Sequence, residues 1–309
     1  MIIQTINLTK RYGKLVALSG LNLNIEQGEC FGYIGPNGAG KTTTIRILAT
    51  LLQPTWGEAR VCGLTVGYES RLIRPMIGYV PDFFGAYEDM VVQEYLEFFA
   101  AAYNIHGDHR KRVVGDVLEL TDLTYKRDSL VDSLSRGMKQ RLSIARVLLH
   151  DPKVLFLDEP ASGLDPRARI EIRELLKELH RMGKTIVISS HILPELAELC
   201  STIGIIERGE LLFKGSLAEI IKRTAAGTRV QIRVAAHQPA AAKVLERLEP
   251  VESVIAEDSR LIVAIKGEVH DFSFLARALL EARIPLCEVK EEEVDLETAF
   301  MRLTKGIVQ

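Results

Sequence analysis

Eight consecutive residues constrain this chain more than any others. Gly35-Pro36-Asn37-Gly38-Ala39-Gly40-Lys41-Thr42 fits the pattern GxxxxGK[ST]. The apolar run Cys30 to Ile34 precedes it, and Ile45, Leu48 and Leu52 follow at helical spacing, with Pro54 as the expected helix stop. A strand, a glycine-rich loop and a helix in that order turn successive backbone N–H groups around an anion. The helix start beyond Lys41 adds the positive end of its dipole. Lys41 can neutralise terminal phosphates, and the Thr42 hydroxyl is a hard oxygen donor for Mg²⁺. Gly35, Pro36, Asn37, Gly38, Ala39, Gly40, Lys41, Thr42 and Thr43 are therefore candidate nucleotide-binding residues.

A second feature works with the first. The unbroken apolar run Val154 to Leu157 ends in Asp158-Glu159-Pro160, two carboxylates at the C-terminal end of a buried strand. Ligands of open α/β sheets collect at those strand ends. Asp158 suits Mg²⁺, directly or through water, and Glu159 suits polarisation of an attacking water. Alone, such a pair reads as a solvated strand end; beside a phosphate loop, the functional reading is the stronger.

The rest of the pattern predicts the fold class. Strands are expected at Ile2 to Leu8 and at Leu21 to Ile25. Helical stripes follow at Val92, Leu96, Phe99 and Tyr103, at Val113, Val117 and Leu120, and at Met138, Leu142, Ala145 and Leu149. A helix near Pro166 to Met182, a strand at Thr185 to Ile188 and a hairpin around Arg208-Gly209 continue the series, and Ser216 with Glu219 forms a capping box. Short continuous apolar runs alternating with helices indicate an α/β protein with a parallel sheet. From Ala225 the order becomes β-α-β-β-α-β with a final helix from Leu296, a small split-βαβ module. The expected domains are 1–224, with a helical subdomain at about 83–150, and 225–309.

Composition narrows the function classes. Lys plus Arg number 39 against 41 Asp plus Glu, a net charge of −2 that gives no bulk attraction to nucleic acid. No uncharged apolar run approaches the ~20 residues of a membrane helix, and Met1 to Leu8 lack the features of a signal peptide. Cys30, Cys62, Cys200 and Cys287 are scattered, with no CxxC spacing, and read as reduced core thiols. These features predict a soluble, cytoplasmic chain. His106-Gly-Asp-His109 looks like a ligand pair but reads as a polar turn.

The phosphate loop and acidic strand, with Leu134-Ser135-Arg136-Gly137-Met138-Lys139-Gln140-Arg141 between them, resemble the ATP-binding-cassette family. Ser162-Gly163-Leu164-Asp165 is similar to its D-loop, His191 to its switch histidine, and Tyr12 to the aromatic that stacks on adenine. The resemblance covers about Met1 to Gly215 in the family's order. It implies a P-loop ATPase with a mixed-sheet core and a helical subdomain, using ATP and Mg²⁺. Glu159 and His191 would be catalytic, and Thr42, Asp82 and Asp158 would face the metal. Tyr12, Ser135, Gly137 and Asp165 would join the loop in binding nucleotide. Ser135 and Gly137 begin a helix whose amides can hold an anion, in a region made positive by Arg136, Lys139 and Arg141. In the family that helix end faces the γ-phosphate of a second subunit, so two copies, expected to be a homodimer, would sandwich two ATP molecules.

The sequence departs from the pattern at Asp82, where the family usually has Gln, and at Arg136 and Met138, which replace Gly and Gln. A carboxylate can bind Mg²⁺ but cannot donate a hydrogen bond to water. The aromatic stretch Asp82-Phe83-Phe84-Gly85-Ala86-Tyr87-Glu88-Asp89 lies where cassettes receive their membrane partner; the same aromatics could equally plug the local core. That stretch, the C-terminal module and the terminal Val294 to Phe300 resemble subunits of bacterial-type exporters of drugs, antibiotics, lipids or polysaccharides. The implied setting is the cytoplasmic face of the membrane, held by separate transmembrane permease subunits. The rival reading is a soluble cassette ATPase acting on ribosomes or DNA; such proteins tend to carry two cassettes or long coiled-coil insertions, and this chain has neither.

Overall fold

The computed structural model describes residues 1–83, 85, 89–224, 228–257, 260–266 and 271–291. Two compact units divide the chain between Leu217 and Ala218. The first begins with β1 (Ile3–Tyr12), β2 (Leu15–Ile25), β3 (Cys30–Ile34), α1 (Lys41–Leu48), β4 (Trp56–Val61), β5 (Leu64–Thr65), α2 (Ser70–Ile73) and β6 (Ile77–Val80). Three helices follow, α3 (Val92–Ala102), α4 (Gly107–Leu120) and α5 (Arg136–Leu148). Then come β7 (Val154–Asp158), α6 (Pro166–Arg181), β8 (Thr185–Ser190), α7 (Leu193–Ala197), β9 (Thr202–Glu207) and β10 (Glu210–Gly215).

The main sheet has the order β10-β9-β3-β8-β7-β6. Its five strands from β9 to β6 run parallel, and β10 closes one edge antiparallel. Every residue of β3, β7 and β8 is buried, as strands covered on both faces require. A second, antiparallel sheet has the order β2-β1-β4-β5. The two sheets share one core, in which Leu8, Leu21, Phe31, Tyr33, Ile45 and Phe156 take part.

The sequence pattern under-reads this second sheet. β1 runs on to Tyr12 and β2 starts at Leu15, because paired residues at the hairpin tip are exposed and carry no apolar alternation. β4, β5 and β6 give no periodic signal over their short lengths. α1 ends at Leu48, where Thr50 turns to φ 63°, well before Pro54. In α4 the buried face is Val114, Val117 and Leu118, one residue round from the expected stripe. Two cysteines are not core thiols: Cys62 is half-buried in the turn after β4, and Cys287 is exposed on the final strand described below. Cys30 and Cys200 are buried, and all four are free.

The second unit takes in α8 (Leu217–Thr224) from Ala218 on, then β11 (Thr228–Val234), α9 (Gln238–Leu245), β12 (Val251–Glu257), β13 (Arg260–Ile265), α10 (Ser273–Glu281) and β14 (Leu286–Glu291). Its antiparallel sheet has the order β12-β13-β11-β14, so β13 splits the β11-α9-β12 unit as expected. A separate core, including Val230, Ile232, Leu245, Leu261, Val263, Leu275 and Leu279, holds it together. The expected final helix from Leu296 and the Val294 to Phe300 segment lie outside the described residues, as do Phe84, Ala86, Tyr87 and Glu88.

Candidate nucleotide-binding site

The loop from Gly35 to Gly40 joins β3, a central strand of the main sheet, to α1. Gly40 sits at φ 109°, and a Cβ there would come within 2.7 Å of the Ala17 carbonyl oxygen. Only glycine fits, so the chain turns sharply and aims the start of α1 into the loop. Lys41 is 5% exposed. Its ammonium donates to the Gly35 carbonyl at 2.6 Å and the Pro36 carbonyl at 3.2 Å, and lies 3.4 Å from a Glu159 carboxylate oxygen. Burial holds its pKa below the ordinary lysine value, and the Glu159 charge offsets part of that shift.

The second half of the site comes from strand register. Asp158 at the end of β7 pairs with Ser189 in β8, which brings the two side chains together. The Ser189 hydroxyl donates to Asp158 Oδ1 at 2.7 Å, and the Thr42 hydroxyl donates to the same oxygen at 3.1 Å. The other oxygen, Asp158 Oδ2, is buried with no hydrogen-bond partner. Burial pushes the Asp158 carboxyl pKa up; the two hydroxyls pull it back, and the nearby Asp82 and Glu159 charges add to the rise. A buried, unpartnered carboxylate oxygen costs stability unless a cation or donor meets it. Asp158 and the Thr42 hydroxyl bonded to it are hard oxygens of the kind that suit Mg²⁺, which takes one or two carboxylates plus substrate phosphates.

Beyond Asp158 the backbone leaves the strand. Glu159 adopts φ 48°, a left-handed conformation uncommon for a residue with a side chain. Its amide donates to Ser189 Oγ at 3.0 Å. Its carboxylate reaches Lys41 with one oxygen and His191 Nδ1 with the other, at 2.8 Å. A carboxylate anion only accepts, so His191 Nδ1 carries the proton of that bond. The sequence pattern singled out Asp158 and Glu159, and the family resemblance His191; both missed Ser189, whose part depends on register between strands distant in sequence.

Tyr12, at the β1–β2 hairpin tip, lines the same cleft of about 270 Å³ as Asn37, Lys41, Thr43 and Glu159. The residue is 48% exposed, with the Lys10 ammonium 5.2 Å from the ring centroid. A flat aromatic surface and a nest of backbone amides thus border one cavity, a shape that can take a base and a phosphate chain together. A mostly apolar cleft of about 290 Å³ also borders Glu159 and His191, between α6, β8 and α7.

The remaining candidates lie elsewhere. Ser135 caps α5, accepting from Met138 N at 3.3 Å. Gly137 is buried against α6, and a Cβ there would come within 2.7 Å of Ala168 Cβ. Asp165 caps α6 by accepting from Ala168 N. The expected positive end of α5 is weaker than the sequence implies. Arg141 is buried, bonded to the Thr121 and Asp122 carbonyls and paired with Asp122 and Glu171, while Lys139 lies 3.7 Å from Asp132. Of the three cations only Arg136 is exposed without a carboxylate partner among the described ion pairs. Asp82 and Phe83 are both exposed. His106 and His109 are exposed at the start of α4, and among the described residues no group of three or more His, Cys, Asp or Glu could hold a metal.

A glycine loop between a central strand and a helix, answered by a strand-end acid pair, defines an α/β P-loop nucleoside-triphosphatase. Comparison with known proteins makes the class specific. The family model described as "ABC transporter" matches residues 18–162. The linearmycin resistance ATP-binding protein LnrL of Bacillus subtilis is 34% identical over 307 residues, 98% of each chain. The bacitracin transport ATP-binding protein BcrA of Bacillus licheniformis is 36% identical over 310 residues, 99% of this chain and 98% of that one. The Nod factor export ATP-binding protein I of Burkholderia orbicola is 40% identical over 216 residues, 70% of this chain and 71% of its own. Among solved structures, cbiO1 of Clostridium perfringens, part of an ABC transporter complex, superposes with a TM-score of 0.65 at 28% identity, covering 80% of this chain and 95% of its own. A dimeric cassette in a post-hydrolysis state, bound to ADP and Pi, gives 0.63 at 28% identity over 69% of this chain and 98% of its own. The chain belongs to the ABC transporter family, as an ATP-binding, ATP-hydrolysing subunit.

Proposed function

We propose that this chain works as a pair on the cytoplasmic face of a membrane, where ATP binding and hydrolysis drive export through separate membrane-spanning subunits. The observation that carries the export reading is the pair of relatives named for linearmycin resistance and bacitracin transport, which align over almost the whole chain, C-terminal unit included. No helix among the described residues is long and apolar enough to cross a membrane, so the pathway belongs to a partner. Because those relatives, aligned over almost their whole length, are named for antibiotics, the cargo we favour is an antibiotic.

In this reading Tyr12 stacks on adenine, and the amides of Gly38 to Thr43 with Lys41 hold the phosphates. Thr42, Asp158 and Asp82 hold Mg²⁺, which when bound shields phosphate charge. Glu159 takes the proton of the attacking water, and the Nδ1–H of His191 keeps its carboxylate aimed. Ser135, Gly137 and Asp165 face the nucleotide of the second copy, which makes the closed pair dependent on ATP. Asp82 cannot donate to the water, so in this reading the water is held by acceptors, with Glu159 taking its proton.

Affinity isolation of the full chain from a detergent extract tests the assignment. Recovery with a membrane-spanning subunit, together with loss of antibiotic tolerance in a Glu159→Gln strain, is the expected result. Recovery only with ribosomes or DNA would overturn it.

A further inference from the structure

Ser189 stands out among the buried polar groups, because neither motif nor family pattern singles it out and yet its hydroxyl touches both halves of the acid pair. We propose that Ser189 is a positioning residue: one hydroxyl sets the orientation of Asp158 and the backbone of Glu159 together. The inference rests on the nucleotide-site reading above and deepens it.

Register supplies the starting point. Parallel pairing of Asp158 with Ser189 puts both side chains on one face of the sheet, within hydrogen-bond reach. A serine there is fully buried, and its hydroxyl has no solvent to turn to. It donates to Asp158 Oδ1 at 2.7 Å and accepts from the Glu159 amide at 3.0 Å, so its single proton and one lone pair have fixed directions.

Each bond has a separate consequence. Oδ1 is tied to hydroxyls, which leaves the unpartnered Oδ2 as the face Asp158 offers to a cation. Thr42 shares the hold on Oδ1, but its hydroxyl is also a candidate metal ligand. A threonine oxygen facing a metal would do so through a lone pair and could keep its proton on Oδ1, so two donors hold Asp158 against rotation, and Ser189 makes the shorter bond. The second bond satisfies an amide that has left the β ladder, where Glu159 turns to φ 48°. That turn sends the Glu159 carboxylate toward Lys41 and His191. The same hydroxyl therefore links metal affinity to the aim of the water-activating carboxylate. Partners that orient ligating carboxylates this way are typically worth about 10–100-fold in metal affinity or activity.

The test compares the full-length parent, Ser189→Ala, Ser189→Thr and Lys41→Ala by equilibrium ATP binding with and without Mg²⁺, ATP turnover across a Mg²⁺ titration, and melting temperature. Ser189→Ala should bind metal-free ATP within about twofold of the parent. The gain in affinity from Mg²⁺ should shrink roughly tenfold or more, and kcat should fall by a similar factor. Ser189→Thr, which keeps the hydroxyl, should recover most of both. Parental Mg²⁺ dependence and kcat in Ser189→Ala would overturn the proposal. So would an equal loss of ATP affinity with and without Mg²⁺ alongside a lowered melting temperature, since that marks a purely structural serine. If Thr fits too tightly and melts early, Ser189→Cys takes its place, with partial recovery expected and no recovery counting against the proposal. Full ATP binding by Lys41→Ala would instead defeat the underlying site reading, while the Ser189 comparison of Mg²⁺ dependence would still decide the inference.

Discussion

Single side chains in this molecule often serve packing and chemistry at once, and substitutions can separate the two. Lys41 is buried among carbonyl oxygens and a carboxylate. Lys41→Ala should therefore weaken ATP binding roughly a hundredfold, about 3 kcal/mol for lost charge-assisted hydrogen bonds, as measured by calorimetric titration. Glu159→Gln keeps the size of the side chain but cannot take a proton. Its turnover should fall by about 10²-fold or more while ATP binding survives, and light scattering should show an ATP-bound pair accumulating. Gly137 is more instructive still. A methyl group there meets Ala168 of the neighbouring helix, so Gly137→Ala should destabilise the chain by about 1–3 kcal/mol even without nucleotide. An unchanged melting temperature would mean that packing is not why glycine stands at that position.

Elements extend the same logic. His150, just past α5, bonds the Ile77 carbonyl through Nε2 and stacks on Tyr103 with ring centroids 4.0 Å apart. Burial holds its pKa below the ordinary 6.5. The unfolded chain thus takes up that proton first, so stability is intact above pH 6.5 and falls as pH drops through it, levelling once the folded imidazole titrates. Urea midpoints measured from pH 7 down to pH 5 should show this slope in the parent and a flatter one in His150→Gln.

Legibility from sequence also varied by element. The parallel strands were readable because burial on both faces gives continuous apolar runs, as in Val154 to Leu157. β4, β5 and the hairpin end near Tyr12 were not, because short or exposed strands leave no run and their pairing is set by distant partners. The loop could be recognised by its spacing, the acid pair by standing beside that loop in the pattern, and His191 only through the resemblance to the family. Ser189 could not, since its meaning comes from lying beside Asp158 across a ladder. Arg141 misled for a related reason: local charge pattern cannot show that a guanidinium turns inward to carbonyls and carboxylates of other elements.

At the scale of the whole molecule, the described core of the first unit that underlies the nucleotide loop and the described core of the second share no residue. A chain ending at Ala225 should therefore fold and bind ATP with parental affinity, as read by fluorescence titration; a folded truncation with weakened affinity would make the C-terminal unit part of the binding machinery. The divided cores also bear on heat. Calorimetry should resolve two melting steps, and nucleotide at a hundred times its Kd should add about 2.7 kcal/mol to one of them alone. The motor half would then borrow thermal endurance from the fuel supply, while the smaller half would come apart at the same temperature in a starved cell as in a well-fed one.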